Sequence, residues 1–215
     1  MAASARGAGT LPGPNVVKLG GSLHDAVELG GWLATLAEAP GPARVVVPGG
    51  GPFADAVRAA QERLGFDGLA AHRMAILAMQ QYGLLLQARE PRLALLETEA
   101  EMRALPPGAG GVWLPWRLAG LEPGIEASWD VTSDSLALWL ARRLGSPRLL
   151  LVKSAALPAG QASAGELTAA GVLDEAFPGL AAGYEGDVRC VGRGSAGAMV
   201  DLLAGRGDVG VRVVP

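Results

Sequence analysis

A single cysteine, Cys190, is all the thiol chemistry this 215-residue chain carries. An intramolecular disulfide is therefore excluded and a cysteine-rich zinc site disfavoured. Close to Val188 and Val191, Cys190 reads as a small buried hydrophobe. There is no excess of one charge either: 18 basic and 21 acidic residues are mixed along the chain, with a net charge of −3. Without a basic stripe or an aromatic-rich basic patch, nucleic acid is not expected as a partner. No run approaches the ~18–20 uninterrupted apolar residues of a membrane helix. Residues 1–14 are rich in Ala, Gly and Pro and lack the apolar core of a signal peptide. They read as a mobile tail, and the expected location is the cytoplasm. No internal repeat or linker interrupts residues 15–215, which are expected to form one domain.

What is present is a regular alternation. Half the residues are hydrophobic, enough for a substantial core, and the 32 glycines and 15 prolines punctuate apolar runs. Residues 16–19, 44–47, 93–96, 148–152, 188–191 and 211–214 read as buried strands, with 112–114 a weaker candidate. Helical patterns cover 26–38, 53–64, 71–89, 133–144, 166–176 and 196–204. Strands and helices in this order predict an α/β fold, a three-layer αβα sandwich around a mainly parallel sheet. Ligands in such sheets bind where strands end. The helix over 71–89 carries apolar residues around much of its circumference, which predicts burial on several sides or a subunit interface.

The strand ends carry the chemistry. Lys18-Leu19-Gly20-Gly21-Ser22 closes the first strand with a lysine, two glycines and a hydroxyl. Backbone N–H groups at such a turn suit an anion, and the lysine adds a full charge. The Walker spacing is absent from the chain. Gly49, Gly50 and Gly51 follow the second strand and let backbone amides come close to a ligand. Trp129-Asp130-Val131-Thr132-Ser133-Asp134 leads into a helix that Thr132 or Ser133 can cap and Gly145 can close. Asp134 falls in its first turn, where an anion opposes the helix dipole. A further strand ends in Lys153-Ser154, and a lysine there needs a charged partner, such as Asp134 or a phosphate. Cations and backbone dipoles aimed at one point are what phosphoryl transfer needs.

These motifs resemble those of the amino acid kinase superfamily, and the resemblance runs from Lys18 to the last strand. It implies that Lys18 and Lys153 contact the transferred phosphoryl and the ATP phosphates, with Asp134 orienting both. It places Gly20 and Gly21 on ATP phosphates and Gly50 and Gly51 on the acceptor side, with Gly49 in the same loop. Ser22, Ser154 and Arg193 are nucleotide-side candidates. The segments Ala71-His72-Arg73-Met74-Ala75 and 129–135 are most similar to the small kinases of methanofuran biosynthesis, which convert an aminomethylfuran-methyl phosphate to its diphosphate. That similarity makes His72 and Asp130 acceptor-side candidates, with Asp130 facing the ammonium or assisting Mg²⁺. ATP and Mg²⁺ are the implied cofactors, and a homo-oligomer is expected. One departure is Ala156, which stands where many members carry an acid soon after the second lysine. Other acceptors (a carboxylate, a carbamate or a nucleoside monophosphate) stay open, as does a kinase fold kept as a binding or oligomeric scaffold. Gly192-Arg193-Gly194-Ser195-Ala196-Gly197 matches a dinucleotide fingerprint, but the strand after it, 211–214, ends in Pro215 without the acidic residue that fold needs.

Overall fold

The computed structural model describes residues 13–204 and 206–214. Eight strands form one sheet: β1 (Asn15–Leu19), β2 (Arg44–Pro48), β3 (Ala94–Leu96), β4 (Gly110–Trp113), β5 (Arg148–Lys153), β6 (Gln161–Ser163), β7 (Asp187–Gly192) and β8 (Val211–Val214). Their order is β3-β4-β2-β1-β5-β7-β8-β6, parallel throughout except where β8 runs antiparallel to β7. The helices are α1 (Leu29–Glu38), α2 (Gly51–Leu64), α3 (Gly68–Arg89), α4 (Glu99–Ala104), α5 (Trp116–Ala119), α6 (Ser133–Leu144), α7 (Ala164–Ala169), α8 (Phe177–Ala181) and α9 (Met199–Leu203). The expected three-layer α/β sandwich is thus observed. No helix among the described residues is long and apolar enough to cross a membrane.

The strand period of two divides the core. Val16, Val45, Val47, Leu149 and Leu151 pack on one face with Leu136, Leu140 and Leu144 of α6. Val17, Leu19, Val46, Leu150 and Val152 pack on the other with Leu29, Trp32 and Leu36 of α1. Lys18 is in step with Val16, and Lys153 with Leu149 and Leu151. Both lysines therefore belong to the face that α6 covers. Across the sheet, chain order runs from β1 to β2 on one side and returns to β5 on the other. The crevice at such a reversal is where open α/β sheets bind ligands.

Several elements differ from expectation. The predicted helix over 166–176 stops at Ala169, the end of α7, where Gly171 at φ +68° turns the chain, and a separate short helix, α8, begins only at Phe177 with Pro178 in its first turn. Short β6, α4 and α5 were not anticipated, although α4 carries a legible capping box from Thr98 and Glu101. The helix expected from 26 starts at Leu29, after a 3-10 turn at Gly21–Leu23. The one expected from 71 starts at Gly68, because the Asp67 side chain accepts from Ala70 N–H at 2.7 Å. The helix expected over 196–204 contracts to α9. Along α3, Ile76, Met79, Tyr82 and Leu86 are buried, whereas Leu69, Met74, Leu77 and Leu84 are exposed, so this helix is not covered on all sides. Of the predicted tail, residues 1–12 lie outside the described residues. Gly13 and Pro14 are buried, and Gly13 N–H donates to the Gly145 carbonyl at 3.2 Å.

Candidate active site

At the centre of the sheet β1 and β5 lie side by side, with Leu19 opposite Val152. This neighbourhood brings together the only two lysines in the chain, Lys18 and Lys153. Asp134, in the first turn of α6, stands between them. Lys18 Nζ is 2.8 Å from Asp134 Oδ1, an ion pair off the line of a hydrogen bond. Lys153 Nζ donates to Asp134 Oδ2. All three residues are buried. Burial works to raise the Asp134 carboxyl, but the two ammonium groups outweigh it and hold it below its ordinary range. Burial, reinforced by repulsion from Lys18, lowers Lys153, and Asp134 only partly offsets this. Two cations share one anion, so the cluster keeps a net positive charge that suits a phosphoryl group.

The loops after β1 and β2 meet backbone to backbone. A Cβ on Gly21 would run into the backbone nitrogen of Gly51, and one on Gly49 into that of Gly21. Gly49 therefore serves the loop contact itself and does not line the adjoining cavity. Beside Gly20, a Cβ would lie 3.5 Å from Ser22 Oγ and 3.9 Å from Lys18 Nζ, so the missing side chain opens the space next to the lysine. Across that space the Ser22 and Ser154 hydroxyls are 2.9 Å apart and join the turns that follow β1 and β5.

On the far side of the glycine loops lies a cavity of about 430 Å³. Ile76 and Met79 of α3, Leu136 of α6 and Val131 form its apolar part, and Gly21, Ser22, Gly50 and Gly51 border it next to the lysines. His72 is on its wall, and burial, with Arg73 nearby, lowers the imidazole from its ordinary value. Trp129 contributes an aromatic wall. Arg58 sits over its ring at 4.1 Å, and its indole N–H donates to Gln61 Oε1 at 2.7 Å. Asp55 and Arg58, both exposed, stand at the cavity's edge.

Two sequence candidates fall elsewhere. Asp130 is exposed and does not line the cavity; its carbonyl accepts from Ala176 N–H at 3.0 Å. Arg193 pairs with Glu28 at 3.5 Å, and its carbonyl accepts from the Trp32 indole at 2.6 Å. The Gly192–Gly197 run enters a 3-10 turn at Arg193–Ser195, not a helix able to seat a pyrophosphate. Ala156 is exposed in the segment after β5. Sequence reasoning missed Asp55, Arg58 and Gln61 on α2. It also missed Asp174, whose carboxylate caps α6 in place of the Thr132 side chain. The α2 residues follow a helical spacing that looks like any solvated face, and Asp174 has no local signature.

No protein-family model matches the chain. The chain has the amino acid kinase fold. It is similar to the uridylate kinase of Archaeoglobus fulgidus, with a TM-score of 0.67 at 17% identity over 93% of this chain and all of that one. An isopentenyl phosphate kinase superposes with a TM-score of 0.57 at 13% identity, over 92% of this chain and 98% of that one. In sequence the chain is 26% identical over 211 residues to the [5-(aminomethyl)furan-3-yl]methyl phosphate kinase of Methanocaldococcus jannaschii, covering 93% of this chain and 97% of that protein.

Proposed function

We propose that the chain is an ATP-dependent kinase that phosphorylates a small phosphate ester bearing an amine, [5-(aminomethyl)furan-3-yl]methyl phosphate, to its diphosphate. The observation that carries this reading is the Lys18–Asp134–Lys153 cluster next to a small, largely apolar cavity. The end-to-end similarity to the M. jannaschii enzyme supports the choice of acceptor.

In this reading an oxygen of the acceptor's phosphate attacks the γ-phosphorus of ATP, the bond to the β-phosphate oxygen breaks, and ADP leaves. Lys18 and Lys153 neutralise charge on the transferred group, and Asp134 keeps both ammonium groups aimed. With its carboxylate committed to two lysines, Asp134 is a poor proton acceptor, which favours an acceptor that arrives already ionised. A phosphate monoester does so at neutral pH. Gly20, Gly21, Ser22 and Ser154 surround the space for the nucleotide's phosphates. The backbone at Gly50 and Gly51, at the N-terminus of the 14-residue helix α2, suits the acceptor's phosphate. Ile76, Met79 and Leu136 suit its ring, His72 and Trp129 form the wall, and Asp55 supplies a carboxylate for the ammonium.

Among the described residues no group of three or more His, Cys, Asp or Glu converges on one point. The residues present do not fit a protein-built Mg²⁺ cage, and Asp134 already faces two cations. We therefore assign magnesium to the nucleotide's own phosphates, its usual setting in kinases. Residues 15–215 acting as one domain, a cytoplasmic location and self-association through the exposed apolar side of α3 belong to the same reading.

Purified full-length protein given ATP, Mg²⁺ and the aminomethylfuran phosphate should release ADP and form a diphosphate visible by ³¹P NMR. Turnover of a carboxylate, a carbamate or a nucleoside monophosphate in place of it would reassign the acceptor. Absence of Mg-ATP binding by calorimetry would favour the scaffold reading that Ala156 raises.

A further inference from the structure

The first turn of α6 is held from outside its own segment. Thr132 occupies the N-cap position, yet its side chain makes no capping bond to the helix. Asp174, in the turn between α7 and α8, does the capping. Its Oδ2 accepts from Thr132 N–H at 2.9 Å, Thr132 Oγ1 at 2.8 Å and Ser135 N–H at 3.1 Å, while its Oδ1 accepts from Ser135 Oγ. The Asp174 turn is itself tied down. The Asp174 carbonyl accepts from Thr168 Oγ1 and Phe177 N–H, both at 3.2 Å. A parallel tie joins Ala176 N–H to the Asp130 carbonyl.

Asp134 lies between the two residues that Asp174 grips. Its carboxylate must meet ammonium groups from two different strands, so a small rotation or fraying of the first turn would break one contact. First turns are where helices fray. A local side-chain cap would move with the fraying turn, whereas a carboxylate anchored on another element resists it.

We propose that Asp174 is a positioning residue: it fixes the first turn of α6 so that Asp134 holds Lys18 and Lys153 together. The catalytic half of this statement rests on the kinase reading; the positional half does not.

The test pairs kinetics with an activity-independent measurement on the full chain. Asp174→Ala is expected to lower kcat about 30–100-fold, with KM for ATP and acceptor within about threefold, as for a misplaced reacting centre. Asp174→Asn keeps one acceptor oxygen and should recover most of that loss. Thr98→Ala removes the capping box of α4, and it should lower thermal stability but leave kcat unchanged. Because the chain has two lysines only, an amine-reactive reagent followed by peptide mass spectrometry reports directly on the centre. In the nucleotide-free protein, Asp174→Ala should speed labelling of Lys18 and Lys153 by about fivefold or more through local opening, and Thr98→Ala should not. Should Asp174→Ala fail to fold, Thr132→Val, which deletes one of the four bonds, carries the same comparison at smaller amplitude. Unchanged labelling overturns the proposal, as does a wild-type kcat in Asp174→Ala. If the wild type turns over none of the acceptors and labelling still rises, the kinase reading fails while the positional role stands.

Discussion

Lys18 and Asp134 form a buried ion pair at 2.8 Å between the central strand of the sheet and the helix that covers it. Lys153 joins the same carboxylate from the neighbouring strand. The cluster is thus two cations around one anion, and its members are not equivalent when removed.

Deleting a lysine leaves a neutral pair and relieves cation–cation repulsion. Lys18→Met and Lys153→Met should therefore fold with nearly unchanged thermal midpoints while transfer falls by about 10²–10³-fold or more. Asp134→Ala leaves two buried ammonium groups facing each other, a defect of about 3–5 kcal/mol. Calorimetric melts of the three variants decide this. Equal destabilisation by all three would contradict the arrangement.

Acid stability should carry the signature of Asp134. Its folded value lies below the ordinary 3.8, so as pH falls the unfolded chain takes up the proton first. In that window the unfolded state holds more protons, and stability drops as the pH is lowered. The contribution is fully present above about pH 4 and is lost as pH drops through the folded value. Urea midpoints for wild type and Asp134→Asn should differ at about pH 6, begin to approach each other near pH 4 and converge only as pH drops through the folded value. A gap independent of pH would refute the assignment.

At the alkaline end Lys153 should lose its proton below the ordinary lysine value of 10.5, because burial and Lys18 both disfavour its charge. The profile of kcat/KM reports the free enzyme, and its high-pH limb should fall below 10.5.

The glycine loops respond to size, not to glycine content. Gly21→Ala and Gly49→Ala force a methyl group into facing backbone and should each cost about 1–3 kcal/mol along with activity. Gly194→Ala, with no heavy atom within 4 Å of the added Cβ, should be silent in both assays. Measurable loss at Gly194 would reopen the fingerprint reading of 192–197.

Trp129 is held as a wall by Arg58 and Gln61. Trp129→Ala should raise the acceptor KM by about tenfold through lost apolar contact and leave the ATP KM unchanged. A rise confined to ATP would place the nucleotide in this cavity instead.

Strand-end lysines, glycine clusters and the helix that starts near Asp134 are all local patterns, and each was legible from spacing alone. Period two within each strand puts Lys18 on the side of Val16 and Lys153 on the side of Leu149 and Leu151, but that these are one face of the sheet follows from the pairing of β1 with β5. Periodicity says which face a side chain takes, but not which strand lies beside it. The tertiary structure alone decided that β1 neighbours β5, across more than a hundred residues. It alone packed Gly49 against Gly21, moved Asp130 and Arg193 away from the cavity, and recruited Asp174 to cap a helix 42 residues upstream at Thr132. These are contacts between segments whose spacing in the chain is arbitrary, so no local pattern encodes them. They exist only because burying both faces of one sheet brings those segments together.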